Sequence, residues 1–439
     1  MEKLQPSSPE AETCCGWIED RISVLPDDLI VEILSLIPTK DAVTTMVLSK
    51  RWRSIWTIVP KIVCMERHHD GCKSISRFID KTLELHKAPI LETLCIQLGP
   101  QSPADTEIGK WVENAVGRGL KELEVELQWT SEPTNFPKSL YNCKTLVILK
   151  LSDKILVDVP SSVCLPSLKV LSLVSVTYKD DDSLVRLLSS CHVLKYMYVK
   201  RHENDNVAKF VVDVPSLQFF TYENTPLTDE GVGEHVGSLF INSPALTDFN
   251  MRDVSGDTFL VDNMPHLDVM LLQVYSYLDN KFLRSISAVA SLTFFLIKET
   301  VANNISTITF SRLIDLKLYI FEWFDWLKPV MLFLSNCPNL KVLRISFFAS
   351  QGPSLMWNHP NQPSSVPECF LSHLKIFECV EYKDIEEEKE LVTYIIVNSK
   401  CLERATISVA TTLSLEEQVK VKTELESMFR VLTPHFLFE

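Results

Sequence analysis

The chain has 439 residues, a formal net charge of −14, 46% hydrophobic residues and 23% charged residues. That length allows two or three domains around a sizeable core, and the balance is that of a globular chain, not a disordered one. The acidic excess argues against nucleic acid as a partner, because a phosphate backbone is held by clustered Lys and Arg.

Residues 1–16 are acidic and contain prolines but no apolar core of the kind a secretory signal has, so residues 1–17 are expected to be disordered. Apolar stretches such as 288–297 are about half the length a membrane-spanning helix needs. The expected location is nucleus or cytoplasm, without membrane attachment.

From Arg21 to Trp56 the chain reads as three short helices in a domain spanning 18–64. Pro26 can open the first, since a first helical residue lacks an amide partner anyway, and Asp27 and Asp28 put negative charge on the positive end of the helix dipole. Leu29, Ile30, Ile33, Leu34 and Ile37 share one wide face. Pro38 ends that helix, and Thr39 is expected to cap the next, which carries Ala42, Val43, Met46 and Val47. Ser49 is expected to cap a third helix with Trp52, Ile55 and Trp56 on one side.

So short a segment does not normally bury that much apolar surface alone. Leu25, Leu36, Leu48, Trp52 and Trp56 are left over, either to pack on the rest of the chain or to dock another protein. The string L-P-D-D-L-I-V-E-I-L-S-L-I-P, followed by V-L-S-K-R-W-R-S-I-W, resembles an F-box. Its specific points are Leu25-Pro26, Ile33-Leu34 and Ser49-Lys50-Arg51-Trp52. The resemblance covers about one tenth of the chain and implies docking on the Skp-type adaptor of a cullin-based ubiquitin ligase. The residues it assigns to that contact are Leu25, Pro26, Leu29, Ile33, Leu34, Leu36, Pro38, Val47, Leu48, Ser49, Trp52 and Trp56.

The chain has twelve cysteines. Cys95, Cys164 and Cys379 sit in apolar strings, and Cys143, Cys191, Cys337 and Cys401 just before strands, where reduced cysteine acts as a small hydrophobe. Cys64, His68, His69 and Cys72 lack the paired spacing of a zinc site, so no metal or other cofactor is expected.

From Leu91 onwards a unit of the form L-x-x-L-x-L recurs, as in L-V-I-L-K-L at 146 and L-K-V-L-S-L at 168. Thirteen copies begin at Leu91, Leu120, Leu146, Leu168, Leu194, Leu217, Leu246, Leu267, Leu292, Leu313, Leu340, Leu374 and Leu402. Most intervals fall in the range of about 20–29 residues expected of leucine-rich repeats. Each unit is a short strand whose anchors face inward, and units must stack because none buries its apolar edge alone. Helical connectors are expected over 182–189 and 326–334. The predicted fold is therefore an α/β repeat: three N-terminal helices, a curved solenoid over 90–350, and a C-terminal region. Prolines ahead of several copies (V-P-S-L at 214, C-P-N-L at 337) resemble the irregular repeats of plant F-box proteins.

Four prolines between 351 and 367 mark a linker. Beyond it, strand–helix–strand–helix elements over 368–432, with a capping box at Ser414-Leu415-Glu416-Glu417, resemble the FBD domain that ends many plant F-box proteins. The acidic run Glu386 to Glu388 is expected to be a solvated first helical turn.

Signatures of catalysis are missing. Gly231, Gly233 and Gly237 fall one residue off a dinucleotide fingerprint and follow no strand, and His202-Glu203 lacks a second histidine. The expectation is a non-catalytic substrate receptor that holds a target near a charged ubiquitin-conjugating enzyme. A non-degradative scaffold and a small-molecule sensor are the alternatives. The residue between the last two anchors of each repeat should face solvent, which nominates Tyr198, Asn250, Leu271, Leu296, Lys317 and Arg344 as a target surface. Its apolar centre, Leu271 and Leu296, would lie beside a basic pair, Lys317 and Arg344, suited to an acidic or phosphorylated segment.

Overall fold

Alternation of apolar and polar residues sets the architecture. In the strand Val170–Val174, Leu171 and Leu173 are buried while Val170, Ser172 and Val174 are only half-buried. The same period of two recurs in Glu122–Leu127, Ile148–Asp153, Tyr196–Lys200, Phe219–Asn224 and Asp248–Asp253, so each strand has a core face and an open face. A computed structural model describes residues 25–66, 72–100, 107–128, 132–201, 206–225, 237–262, 264–275, 278–297, 304–305, 307–321, 326–348, 366–429 and 436–438.

The repeating strands join in one fifteen-stranded parallel sheet whose order follows the chain. Registers are continuous across it: Lys150 pairs with Ser172, Ser172 with Tyr198, Tyr198 with Thr221, and Thr221 with Asn250. Connectors supply the second layer. Some are helices, such as Ile108–Val116, Asp181–Ser189, Asn280–Ile286 and Leu327–Ser335. Others form two small parallel ladders, one of them built from Lys209–Asp213, Ser238–Asn242 and Thr258–Val261. Between the layers runs a single apolar core that reaches from Ile62 to Leu425.

The sheet is longer at both ends than the expected solenoid of 90–350, and at the C-terminal end the repeat copies at Leu374 and Leu402 account for two of the added strands. It starts at Lys61–Met65, not near residue 90, because Val59, Ile62 and Cys64 keep the repeat spacing without any leucine. At the other end it does not stop at 350. Ile376–Tyr382, Arg404–Val409 and Phe436–Phe438 add parallel strands to the same sheet. Phe370, Leu391, Ile395 and Leu425 belong to the same core, so the C-terminal region extends the solenoid. Helix Leu415–Phe429 opens with the expected capping box: Ser414 Oγ accepts from the Glu417 amide, and the Ser414 amide donates to Glu417. Glu388 departs from expectation. It is fully buried, and its carboxylate accepts from the Lys383 amide at 2.7 Å. Residues 1–17 and most of the expected linker (351–365) lie outside the described residues.

The N-terminal helices are Asp27–Ser35, Thr39–Thr44 and Trp52–Ile55, with 3-10 turns at Thr45–Val47 and Trp56–Ile58. They build a core of their own from Ile30, Leu34, Ala42, Trp52, Ile55, Trp56 and Val59. Thr39 does not cap its helix. Its buried hydroxyl accepts from the Val63 amide at 2.8 Å and so joins this small domain to the first strand of the sheet. Ser49 is no cap either, since the third helix begins at Trp52. The joint is strengthened where Thr57 O accepts from the Lys87 and Ala88 amides. His86 completes it. Arg118 Nη2 can only donate to His86 Nδ1, which leaves His86 Nε2 as the donor to Val59 O at 2.6 Å.

Candidate functional site

Two surfaces stand out, one on the helical domain and one on the open face of the sheet. On the first, Leu36 and Val47 are 84% and 88% exposed, and Leu29, Ile33, Ile37 and Leu48 are exposed beside them in sequence. Six large apolar side chains on so small a domain are more than solvation alone favours. This domain has already closed its own core, so the exposed set is surplus. Pro26 is exposed as well, while Leu25, Pro38 and Ser49 are half-buried. Leu34, Trp52 and Trp56 are not part of this surface. Trp52 and Trp56 are only 6% exposed and fill the domain core, so the expectation that both tryptophans are free to dock fails. Arg51 has a bracing role: its Nε donates to Asp27 Oδ1 at 2.6 Å and its guanidinium also reaches Leu25 O, which ties both ends of the domain together.

The open face differs from its sequence-based reading at two places. Leu296 points into the core at 1% exposure, because its repeat starts at Val289 with Leu292 and Phe294 as the inner anchors. Thr293 is the residue in register between Leu271 and Lys317. Arg344 faces outward but is already neutralised, with two bonds to Asp315 at 2.7 and 2.8 Å and one to Glu378 at 2.9 Å. These partners raise its pKa, chiefly through the hydrogen bonds that Arg344 donates to Asp315. Lys317 stands over the ring of Tyr319, 4.7 Å from its centroid. Tyr198 donates to Glu223 at 3.2 Å, and Asn250 and Leu271 remain half-buried on this face.

The leucine pattern passed over the aromatic residues of the same face. Tyr196 and Phe219 stack with centroids 4.6 Å apart and planes within 6°. Further along, Phe295 stacks on Tyr319 at 4.4 Å, and Phe321 on Phe348 at 5.2 Å. All occupy alternate, outward strand positions, so the period of two finds them once each strand's register is set by its anchors.

The interior offers inert groups. Burial pushes the thiols of Cys64, Cys95 and Cys369 up to about 12 and that of Cys191 to about 11, which leaves them protonated and unreactive. Cys164 and Cys401 are exposed instead of packed, contrary to expectation. Among the described residues no group of His, Cys, Asp and Glu is arranged to hold a metal, and no helix is long and apolar enough to cross a membrane. His68, His69, Gly231 and Gly233 lie outside the described residues. Arg201 and Asp257 pair in the interior at 3.2 Å, where Asp257 also accepts from the Gly237 amide and from Asn224. A Cβ at Gly237 would come within 2.7 Å of the Asp257 carboxylate, so this knot is packed tight.

Comparison with known proteins places the chain in a family. The F-box domain model matches residues 22–63, the model for the LRR repeats of FBD-associated F-box protein At5g56370 matches 108–232, and the FBD model matches 362–407. An Arabidopsis thaliana protein named for its F-box, FBD and LRR repeats, At1g22000, is 45% identical over 446 residues, covering 98% of this chain and 93% of its own length. The chain belongs to the F-box/FBD/LRR-repeat proteins. F-box/FBD/LRR-repeat proteins At5g56420 and At4g26340, from the same plant, are each 36% identical over 93% of this chain and cover 96% and 97% of their own lengths. The F-box match contains the exposed apolar set and runs on into the first strand of the sheet. The LRR match covers the strands that carry the Tyr196–Phe219 stack.

Proposed function

We propose that this F-box protein is the substrate receptor of a Skp–cullin–F-box ubiquitin ligase. Its exposed apolar helices dock on the Skp-type adaptor, and through it on a cullin, while the open face of the LRR sheet holds a target protein. The observation that carries this reading is the surplus of Leu29, Ile33, Leu36, Ile37, Val47 and Leu48 outside a closed F-box core. Apolar surface of that kind is normally covered by a partner. Nothing in the receptor's own chemistry needs to act on the target. Catalysis comes from proximity, because holding target lysines near the ubiquitin thioester raises their effective concentration.

The test is co-expression with a Skp-type adaptor, followed by gel filtration. A stoichiometric complex is expected, and it should recruit a cullin. Absence of any complex with several plant adaptors would end this reading. The half-life of a captured target, measured with and without residues 22–63, then separates degradation from scaffolding.

A further inference from the structure

We propose that the target segment recognised by this protein is extended, acidic and aromatic, and that it lies across the open face over Ile148, Val170, Tyr196 and Phe219. This rests on the substrate-receptor reading and adds the chemistry of what is received.

The four side chains are in-register neighbours on four successive strands. All point away from the core, and the last two are the most open, at 45% and 36% exposure. Strands are about 4.8 Å apart, so the stripe is about 14 Å long. An extended chain covers about 3.4 Å per residue, which makes this the reach of about four residues. The Tyr196–Phe219 stack closes one end as a flat platform for an aromatic or other apolar side chain.

Charge selects the rest of the segment. Lys169 and Lys195 stand immediately before the strands that carry Val170 and Tyr196, on adjacent rungs joined by the Lys195 amide and Lys169 O. Both are exposed, and among the described residues neither makes an ion pair. Of the other lysines at this repeat position, Lys121 pairs with Glu92 and Lys375 with Glu403, while Lys341, on a distant rung, stands alone without a second lysine beside it that is free of an ion pair. On a chain of net charge −14, two adjacent uncompensated cations beside an apolar stripe call for carboxylates on the partner. Two lysines are too few for a membrane surface or a nucleic acid, and the surrounding charge repels both.

The experiment uses the full chain in complex with its adaptor and reads fluorescence anisotropy with labelled synthetic peptides. One short peptide alternates Glu with Phe and Leu. A second replaces Glu with Gln, and a third keeps Glu but replaces Phe and Leu with Ser. The first should bind at least about tenfold more tightly than either of the others, and its binding should weaken as salt rises. Lys169→Glu with Lys195→Glu, and separately Tyr196→Ser with Phe219→Ser, should each remove that preference. All four positions are exposed, outside the core. Equal affinity for the three peptides, no binding of any, or unchanged selectivity in either double variant overturns the inference. Failure of the adaptor complex to form overturns the receptor reading instead, so the two fail separately.

Discussion

The F-box and the LRR sheet use apolar residues in opposite ways. The sheet has one long core to fill, and its leucine anchors, repeat after repeat, are almost fully buried. The F-box has a core of seven residues, closes it with its two tryptophans, and leaves seven large apolar side chains outside, the six of the exposed set and Ile58. Residue type therefore does not reveal which side chains stay exposed. In a small domain the largest residues fill the inside, and medium-sized aliphatics at turns and helix ends form the outer face. Leu36 and Val47, each beside the end of a helix, are the clearest instances.

The comparison is tested most severely by removing the end of the sheet. Deleting residues 366–439 uncovers the strand Val342–Phe348 and half of the core around Leu334 and Phe347. The truncated protein should aggregate, because each repeat is stabilised by its neighbours. A soluble monomer with an unchanged melting profile would show that the C-terminal region is an appendage.

Next in size is Trp52→Ala, which opens a cavity in the F-box core and should cost about 3–5 kcal/mol of that domain's stability. Hydrogen exchange should then rise in residues 25–58 while the distant strands stay protected. Leu36→Ala with Val47→Ala should do the reverse. With both side chains exposed, the fold should melt as before, but adaptor affinity should fall about thirtyfold, equivalent to about 2 kcal/mol. Equal losses of stability in the two variants would erase the distinction between core and face drawn here.

The smallest effect concerns the joint between the two regions. Burial lowers the pKa of His86, and the nearby Arg118 adds to the shift, while its bond to Val59 O opposes it. The folded form therefore binds its proton less readily than the unfolded chain. The joint's stability is complete above the usual histidine pKa of about 6.5 and declines as pH falls below it. Limited proteolysis between Val59 and Ala88 should accelerate as pH is lowered from 7 to 5. His86→Gln, which can still accept from Arg118 and donate to Val59, should flatten that dependence.

Much of this was legible in the sequence. Repeat spacing located the core face of nearly every strand, and the L-P-D-D and S-K-R-W strings located the F-box. The failures have physical causes. Phe294, Phe295 and Leu296 are consecutive apolar residues, so alternation is invisible there and only pairing with Gln273 and Tyr319 shows that Phe295 faces out. The bond from Val63 to the Thr39 hydroxyl links residues 24 positions apart in sequence, beyond the reach of any local capping rule. Arg344 looked like a free cation because Asp315 and Glu378, its neighbours across the sheet, stand 29 and 34 positions away.

In the proposed receptor role, the ties through Thr39, Thr57 and His86 make the sheet a ruler. Five strand-to-strand steps separate Lys61–Met65 from Tyr196–Lys200, about 24 Å, whereas the full sheet of fifteen strands measures about 67 Å from edge to edge. With the F-box braced against the first of those strands, the distance from adaptor to target in the proposed complex would be set by the rung on which the target rests. Relatives that carry their recognition side chains on other rungs would present different lysines of the same protein to the same ligase, with no change in the F-box at all.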